Sequence, residues 1–169
     1  KYLITDANII EFLKLKSISK KRKLKILTIN NETISKKNKE LTQLVGSFQF
    51  KNLSMSILAS KLCGIKDTQI DKIFNKIKCV SGRLELIRQL PNKSKIFIDY
   101  AHTPDALHNS LNSLKSHYRD EITLVFGCGG NRDQNKRPTM GMIAKNYCNK
   151  IYITDDNPRN ENPKKIRND

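Results

Sequence analysis

From residue 95 onward, apolar and polar positions switch between two periods. Lys95-Ile96-Phe97-Ile98-Asp99-Tyr100 reads as a strand, and Ala106, Leu107, Leu111 and Leu114 then recur at helical spacing. Ile122-Thr123-Leu124-Val125-Phe126 is a nearly continuous apolar strand. Pro138 to Tyr147 predicts a helix with Met140, Ile143 and Ala144 inward, and Ile151-Tyr152-Ile153-Thr154 predicts a third strand. A last helix begins near Ile166. Strands alternating with helices predict an α/β fold whose strands run parallel through right-handed crossovers.

The first half is less regular. Asn8–Leu13 suits a short helix or a strand remnant, and Lys20-Lys21-Arg22-Lys23 a solvated turn. Leu24–Ile29 alternates, Asn30-Asn31 turns and Glu32–Ser35 resumes, which predicts a hairpin. Leu41–Val45 reads as a further strand. Gly46 to Asn52 is a glycine turn feeding a helix, with Leu53, Ile57, Leu58 and Leu62 on one face and Gly64 as its stop. Asp67 or Thr68 would cap the next helix, which carries Ile70, Ile73, Phe74 and Ile77. At Val80–Glu85 the texture changes.

Composition narrows the class. With 37% hydrophobic and 28% charged residues over 169 positions, the chain is too apolar for a disordered polyelectrolyte. No apolar run approaches the ~20 residues a membrane helix needs. Cys63, Cys79, Cys128 and Cys148 form no CxxC pair, so neither a zinc site nor a disulfide framework is expected, and a reducing cytoplasm is. The net charge of +16 invites a nucleic-acid reading. However, lysine dominates the cations, asparagine and isoleucine are also abundant, and aromatic residues do not interleave with the basic ones as a stacking platform would require. Compositional bias explains this better, and no nucleic-acid partner is expected. A non-catalytic basic binding module remains the rival, distinguishable by steep weakening with salt.

The chemistry-bearing segments follow strand ends, where open α/β sheets bind ligands. In Asp99-Tyr100-Ala101-His102-Thr103-Pro104-Asp105, Asp99 can accept from ribose hydroxyls or cap a turn, and His102 can meet a base or phosphate or lie on the surface. In Gly127-Cys128-Gly129-Gly130-Asn131-Arg132-Asp133, glycines allow close backbone approach to an anion and Arg132 can hold a carboxylate or phosphate. Asp155-Asp156-Asn157-Pro158-Arg159 can hold a zwitterion or form an Asx-Pro turn. Arg83, in Gly82-Arg83-Leu84-Glu85, is a linker charge or a phosphate ligand. Asn52 reads as the start of an apolar helix, where an N-terminal structural role is the simpler alternative. No GxxxxGK[ST] loop occurs anywhere in the chain.

Taken together and in this order, Gly46…Phe48…Asn52, Gly82-Arg83-Leu84-Glu85, DYAHTPDAL (99–107), FGCGGNRD…KRP and TDDNPR resemble the Mur ligases. The nearest members are those that add the third peptide residue to UDP-N-acetylmuramoyl-dipeptide. The resemblance implies that residues 1–81 are the C-terminal part of a central ATPase-type α/β domain. Residues 82–169 would be the first part of a Rossmann-like C-terminal ligase domain. It implies an ATP-dependent amide ligase that passes through an acyl phosphate and adds meso-diaminopimelate, with the lysine-adding ligase as the alternative. Asn52, Arg83, Asp99 and His102 would bind ATP. Arg132, Asp156, Asn157, Pro158 and Arg159 would bind meso-diaminopimelate. No residue here is assigned catalysis or metal binding. The phosphate loop, a carbamylated lysine and the Mg2+ ligands are expected upstream, on the view that the chain is cut at both ends. This stretch alone is therefore expected to be inactive. A cytoplasmic monomer with no membrane partner is expected. Ser47, Gln49, Asn131 and Gln134-Asn135 depart from the usual family residues.

Overall fold

The computed structural model describes residues 1–29 and 34–169. They form two compact units, Lys1–Cys79 and Val80–Asp169, each with α/β architecture.

In the first unit, β1 (Tyr2–Asp6) pairs in parallel with β2 (Lys25–Ile29), Tyr2 opposite Lys25 and Asp6 opposite Ile29. The helix α1 (Phe12–Lys21) connects them. The described partner of β2 is β1; the turn and part of the second arm of the expected hairpin, residues 30–33, lie outside the described residues. The apolar run Tyr2-Leu3-Ile4 is too short to stand out, yet it supplies the partner strand.

The strand expected at Leu41–Val45 is also absent. Ser35 accepts the Asn38 N–H on its hydroxyl at 3.2 Å and so caps α2 (Lys36–Leu41), after which Leu44 and Val45 are buried as irregular chain. The helix begun at the Ser35 cap takes in Leu41, and the remaining apolar positions, Leu44 and Val45, are adjacent rather than alternating. Helix α3 (Ser47–Leu62) follows Gly46, with Gly64 just past its end, as expected. Helix α4 (Asp67–Asp71) is capped one residue earlier than expected: Gln69 accepts the Lys66 N–H at 3.0 Å. A 3-10 turn (Phe74–Lys76) completes the unit. Ile34, Ile57, Ile70 and Phe74 form the core, flanked by Phe50, Leu53 and Ile77. Leu62 faces out.

The second unit opens with a hairpin, β3 (Glu85–Gln89) antiparallel to β4 (Lys95–Ile98). This corrects the all-parallel expectation. Leu90–Ser94 is too short for a crossover, and only antiparallel strands can be joined so tightly; Leu90 N–H closes the turn onto the Ser94 carbonyl at 2.8 Å. Helix α5 (Pro104–Tyr118) starts at Thr103, whose hydroxyl accepts the Ala106 N–H at 3.3 Å, with Pro104 at its first position. β5 (Thr123–Phe126) pairs in parallel with β6 (Lys150–Ile153) across α6 (Lys136–Tyr147), as the alternation predicted. Helix α7 (Pro163–Asn168) follows. Leu107, Leu111, Cys128, Met140 and Ile166 form this core, and Ala144 beside them is fully buried. Three loops follow the C-terminal ends of β4, β5 and β6: residues 99–103, 127–135 and 154–162.

Candidate functional site

The loop after β4 is organised by Asp99. Its Oδ1 accepts the Ala101 N–H at 2.8 Å and the Ser110 hydroxyl at 3.1 Å, while Oδ2 accepts the Leu84 N–H at 2.7 Å. One carboxylate thereby joins the residue-84 turn, its own loop and α5. The turn is tightened by Gly82 at φ +68°, whose N–H meets the Glu85 carboxylate at 2.7 Å, and by Tyr100 N–H on the Gly82 carbonyl at 2.8 Å. Leu84 is buried and left-handed at φ +50°, a conformation rare for leucine that its surroundings must hold.

Arg83, Tyr100 and His102 lie together above this turn. The Arg83 guanidinium stands over the Tyr100 ring at 4.9 Å, and the His102 ring meets the same tyrosine edge-on at 5.2 Å. His102 Nδ1 is 3.1 Å from the Tyr100 carbonyl, and Lys136 Nζ donates to the His102 carbonyl at 2.6 Å. Two cations, an imidazole and an exposed aromatic ring suit the phosphates and base of a nucleotide. Asn52 belongs to the other unit. It lies in the second turn of α3, exposed, with its carbonyl accepting the Ser56 hydroxyl at 3.0 Å; it does not begin the helix.

The loops after β5 and β6 are locked together. Gly130 N–H donates to the Asn157 carbonyl at 2.9 Å, and Arg159 Nη1 donates to the Gly130 carbonyl at 2.5 Å. Asn160 N–H reaches the Asn131 side-chain oxygen at 3.1 Å. The approach is so close that a Cβ on Gly130 would lie 1.9 Å from the Pro158 carbonyl oxygen. Thus Asp156, Asn157, Pro158 and Arg159 are brought onto the glycine loop that carries Arg132, which stands exposed at its outer edge.

Beneath these loops lies a network that the sequence did not single out. Arg137, 4% exposed, donates to Glu161 at 2.9 Å and to Asp169 at 2.6 Å. Glu161 also accepts the Asn131 N–H and the Gln134 amide at 3.3 Å. The Asp169 hydrogen bond above all, with Glu161, raises the Arg137 pKa. Arg137 and the Asn131 N–H hold the Glu161 carboxyl below its ordinary range. The signal was present, since Arg137 is the arginine of the KRP segment. Cys128 offers no nucleophile: its Sγ packs against Met140 Sδ at 3.9 Å, and burial pushes its pKa up. Among the described residues no group of three or more His, Cys, Asp or Glu side chains is placed to hold a metal. No helix there is long and apolar enough to cross a membrane. A cavity of about 310 Å³ opens behind the glycine loop, lined by Phe126, Cys128, Arg137, Ile166 and Asp169 rather than by the exposed arginines.

This arrangement can be set against known proteins. Residues 82–169 match the family described as Mur ligase, glutamate ligase domain. The chain belongs to the Mur ligase family. A UDP-N-acetylmuramoyl-L-alanyl-D-glutamate–2,6-diaminopimelate ligase of Rickettsia montanensis is 42% identical over 167 residues, covering 92% of this chain and 34% of that protein. The enzyme of the same name from Buchnera aphidicola subsp. Acyrthosiphon pisum is 47% identical over 126 residues, 75% of this chain and 25% of its own length. The chain thus spans about a quarter to a third of these Mur ligases. A solved structure of a ligase of that name superposes with a TM-score of 0.56 at 28% identity, over 98% of this chain and 39% of the other. Mycobacterium tuberculosis folylpolyglutamate synthase, solved with ADP and AMPPCP, shares the fold at 19% identity, with a TM-score of 0.63 over 92% of this chain and 39% of its own.

Proposed function

We propose that this chain is part of an ATP-dependent ligase that adds meso-diaminopimelate to UDP-N-acetylmuramoyl-L-alanyl-D-glutamate. The observation that carries the reading is the locking of the Asp156–Arg159 loop onto the Gly129-Gly130 loop, which gathers two arginines, an acid and an amide at one strand-end edge. Relatives named for this reaction support it. On this reading residues 1–81 end the central domain and residues 82–169 begin the C-terminal one.

The residues divide by charge. Arg132 and Arg159 receive the carboxylate at the far end of diaminopimelate, which lysine lacks. Asp156 and Asn157 receive an ammonium group, and Pro158 fixes the loop. Arg83 meets the phosphates of ATP, His102 lies close by, and Asn52 meets the adenine. Asp99 fits a ribose hydroxyl in a specific way. Oδ1 already accepts two hydrogen bonds and Oδ2 only one, so Oδ2 keeps a lone pair for the ligand. ATP, when bound, supplies the phosphoryl group that activates the dipeptide carboxylate. This chain's own part is to orient the amine and neutralise charge with arginine and lysine rather than to attack through a side chain. On this reading Mg2+ accompanies ATP, and no residue of this chain is assigned to it. ATP and a UDP-linked substrate suit the cytoplasm.

The test is ADP release by the complete ligase. It should require both UDP-N-acetylmuramoyl-dipeptide and diaminopimelate, and the 169-residue chain alone should release none, because it carries no phosphate-binding loop. Release by the complete enzyme without either substrate would reject the reading.

A further inference from the structure

Glu161 lies outside the five residues proposed to touch the amino acid, yet it holds the two segments that carry them. Its Oε1 accepts the main-chain N–H of Asn131, the neighbour of Arg132. Its Oε2 accepts from Arg137 Nη2 at 2.9 Å and from the Gln134 amide at 3.3 Å. Its own N–H returns to the Pro158 carbonyl at 3.0 Å, inside the box that ends at Arg159. The support behind it is stiff: the Arg137 side chain is only 2% exposed and is also tied to Asp169 at 2.6 Å. Asn131 and Arg159 both sit at φ +51°, which asparagine adopts readily but which is uncommon for arginine.

We propose that Glu161 is a positioning residue for amino-acid recognition: it clamps the glycine loop to the Asp156–Arg159 loop and so sets the separation of Arg132 and Arg159. This rests on the reading that those two arginines face the amino acid. A carboxylate is required because both of its oxygens meet donors. In Glu161→Gln one end would present an NH2 group to a donor, so one side of the clamp opens while the side chain keeps its size.

Wild-type complete ligase is first given diaminopimelate and lysine in competition. Failure of the diaminopimelate reading shows at that step, and the clamp is then read on whichever amino acid is used. In Glu161→Gln, KM for that amino acid should rise about tenfold, the effect of one lost hydrogen bond. KM for ATP should stay near wild type; the melting temperature falls at neutral pH as Arg137 loses a charged partner, so the split between the two KM values carries the test. An unchanged amino-acid KM, or an equal rise in both KM values, overturns the proposal. Should Glu161→Gln fail to fold, Gln134→Ala decides, since it removes only one exposed contact. A rise of about two- to threefold in amino-acid KM with ATP unaffected supports the clamp, and no rise overturns it.

Discussion

The main-chain N–H of Leu84 donates to the Asp99 carboxylate at 2.7 Å across 15 residues of sequence. That bond fastens the turn carrying Arg83 to the loop carrying His102, so one acid orders both proposed nucleotide contacts. Asp99→Ala in the complete ligase should therefore do two things. KM for ATP rises while KM for the amino acid stays nearly constant. Stability of the second unit also falls, by about 2–3 kcal/mol, because three donors lose a charged acceptor. Ser110→Ala removes one of the three and should cost about 1 kcal/mol. Steady-state kinetics beside urea unfolding separates the two effects; equal damage to both KM values would count against the nucleotide role.

Two glycines of the second unit should respond with opposite signs. A Cβ at Gly130 meets the Pro158 carbonyl oxygen at 1.9 Å, whereas one at Gly141, inside α6, meets nothing within 4 Å. Gly130→Ala must force the two loops apart and should cost about 1–3 kcal/mol together with amino-acid binding. Gly141→Ala should stabilise by about 0.5–1 kcal/mol through helix propensity. Denaturation midpoints of the two variants check this.

Acid should loosen the loop network. The Arg137 hydrogen bond first, then the Asn131 N–H, holds the folded Glu161 pKa below its ordinary value of 4.5. A depressed folded pKa means stability that is present above the unfolded pKa and lost as pH falls through the folded one. Denaturation midpoints followed from about pH 6 down to about pH 2 should fall, and in Glu161→Gln that part of the slope should vanish. Asp6, lowered by its ion pair with Lys51, gives the first unit a separate acid dependence. A variant slope identical to wild type would refute the assignment to Glu161.

What the sequence disclosed depended on how local the cause was. The strands and helices from Lys95 on were legible because each carries a complete period, and the Ser47–Leu62 helix because Gly46 and Gly64 bracket it. The pairing of β2 was not: alternation in Leu24–Ile29 marks a strand but says nothing of its partner, and Tyr2-Leu3-Ile4 is too brief to announce one. At Leu41–Val45 the helix begun at the Ser35 cap takes in Leu41, and Leu44 and Val45 alone do not make a strand. The β3–β4 hairpin was hidden because Glu85–Gln89 has little apolar content beyond Leu86 and Ile87. For the site, motif order picked out Arg132 and Arg159, whose loops the fold locks together. Glu161 and Arg137 escaped notice because their importance is a matter of shared hydrogen bonds, which sequence separations of 24 and 32 residues conceal.

The most direct test of the account gives the complete ligase equal concentrations of meso-diaminopimelate and lysine, with and without Arg159→Ala. The wild type should prefer diaminopimelate by roughly 10- to 100-fold, the value of one charge-assisted arginine–carboxylate hydrogen bond. Arg159→Ala should abolish most of that preference while leaving KM for ATP unchanged. Preferential addition of lysine by the wild type would contradict the assignment of Arg159.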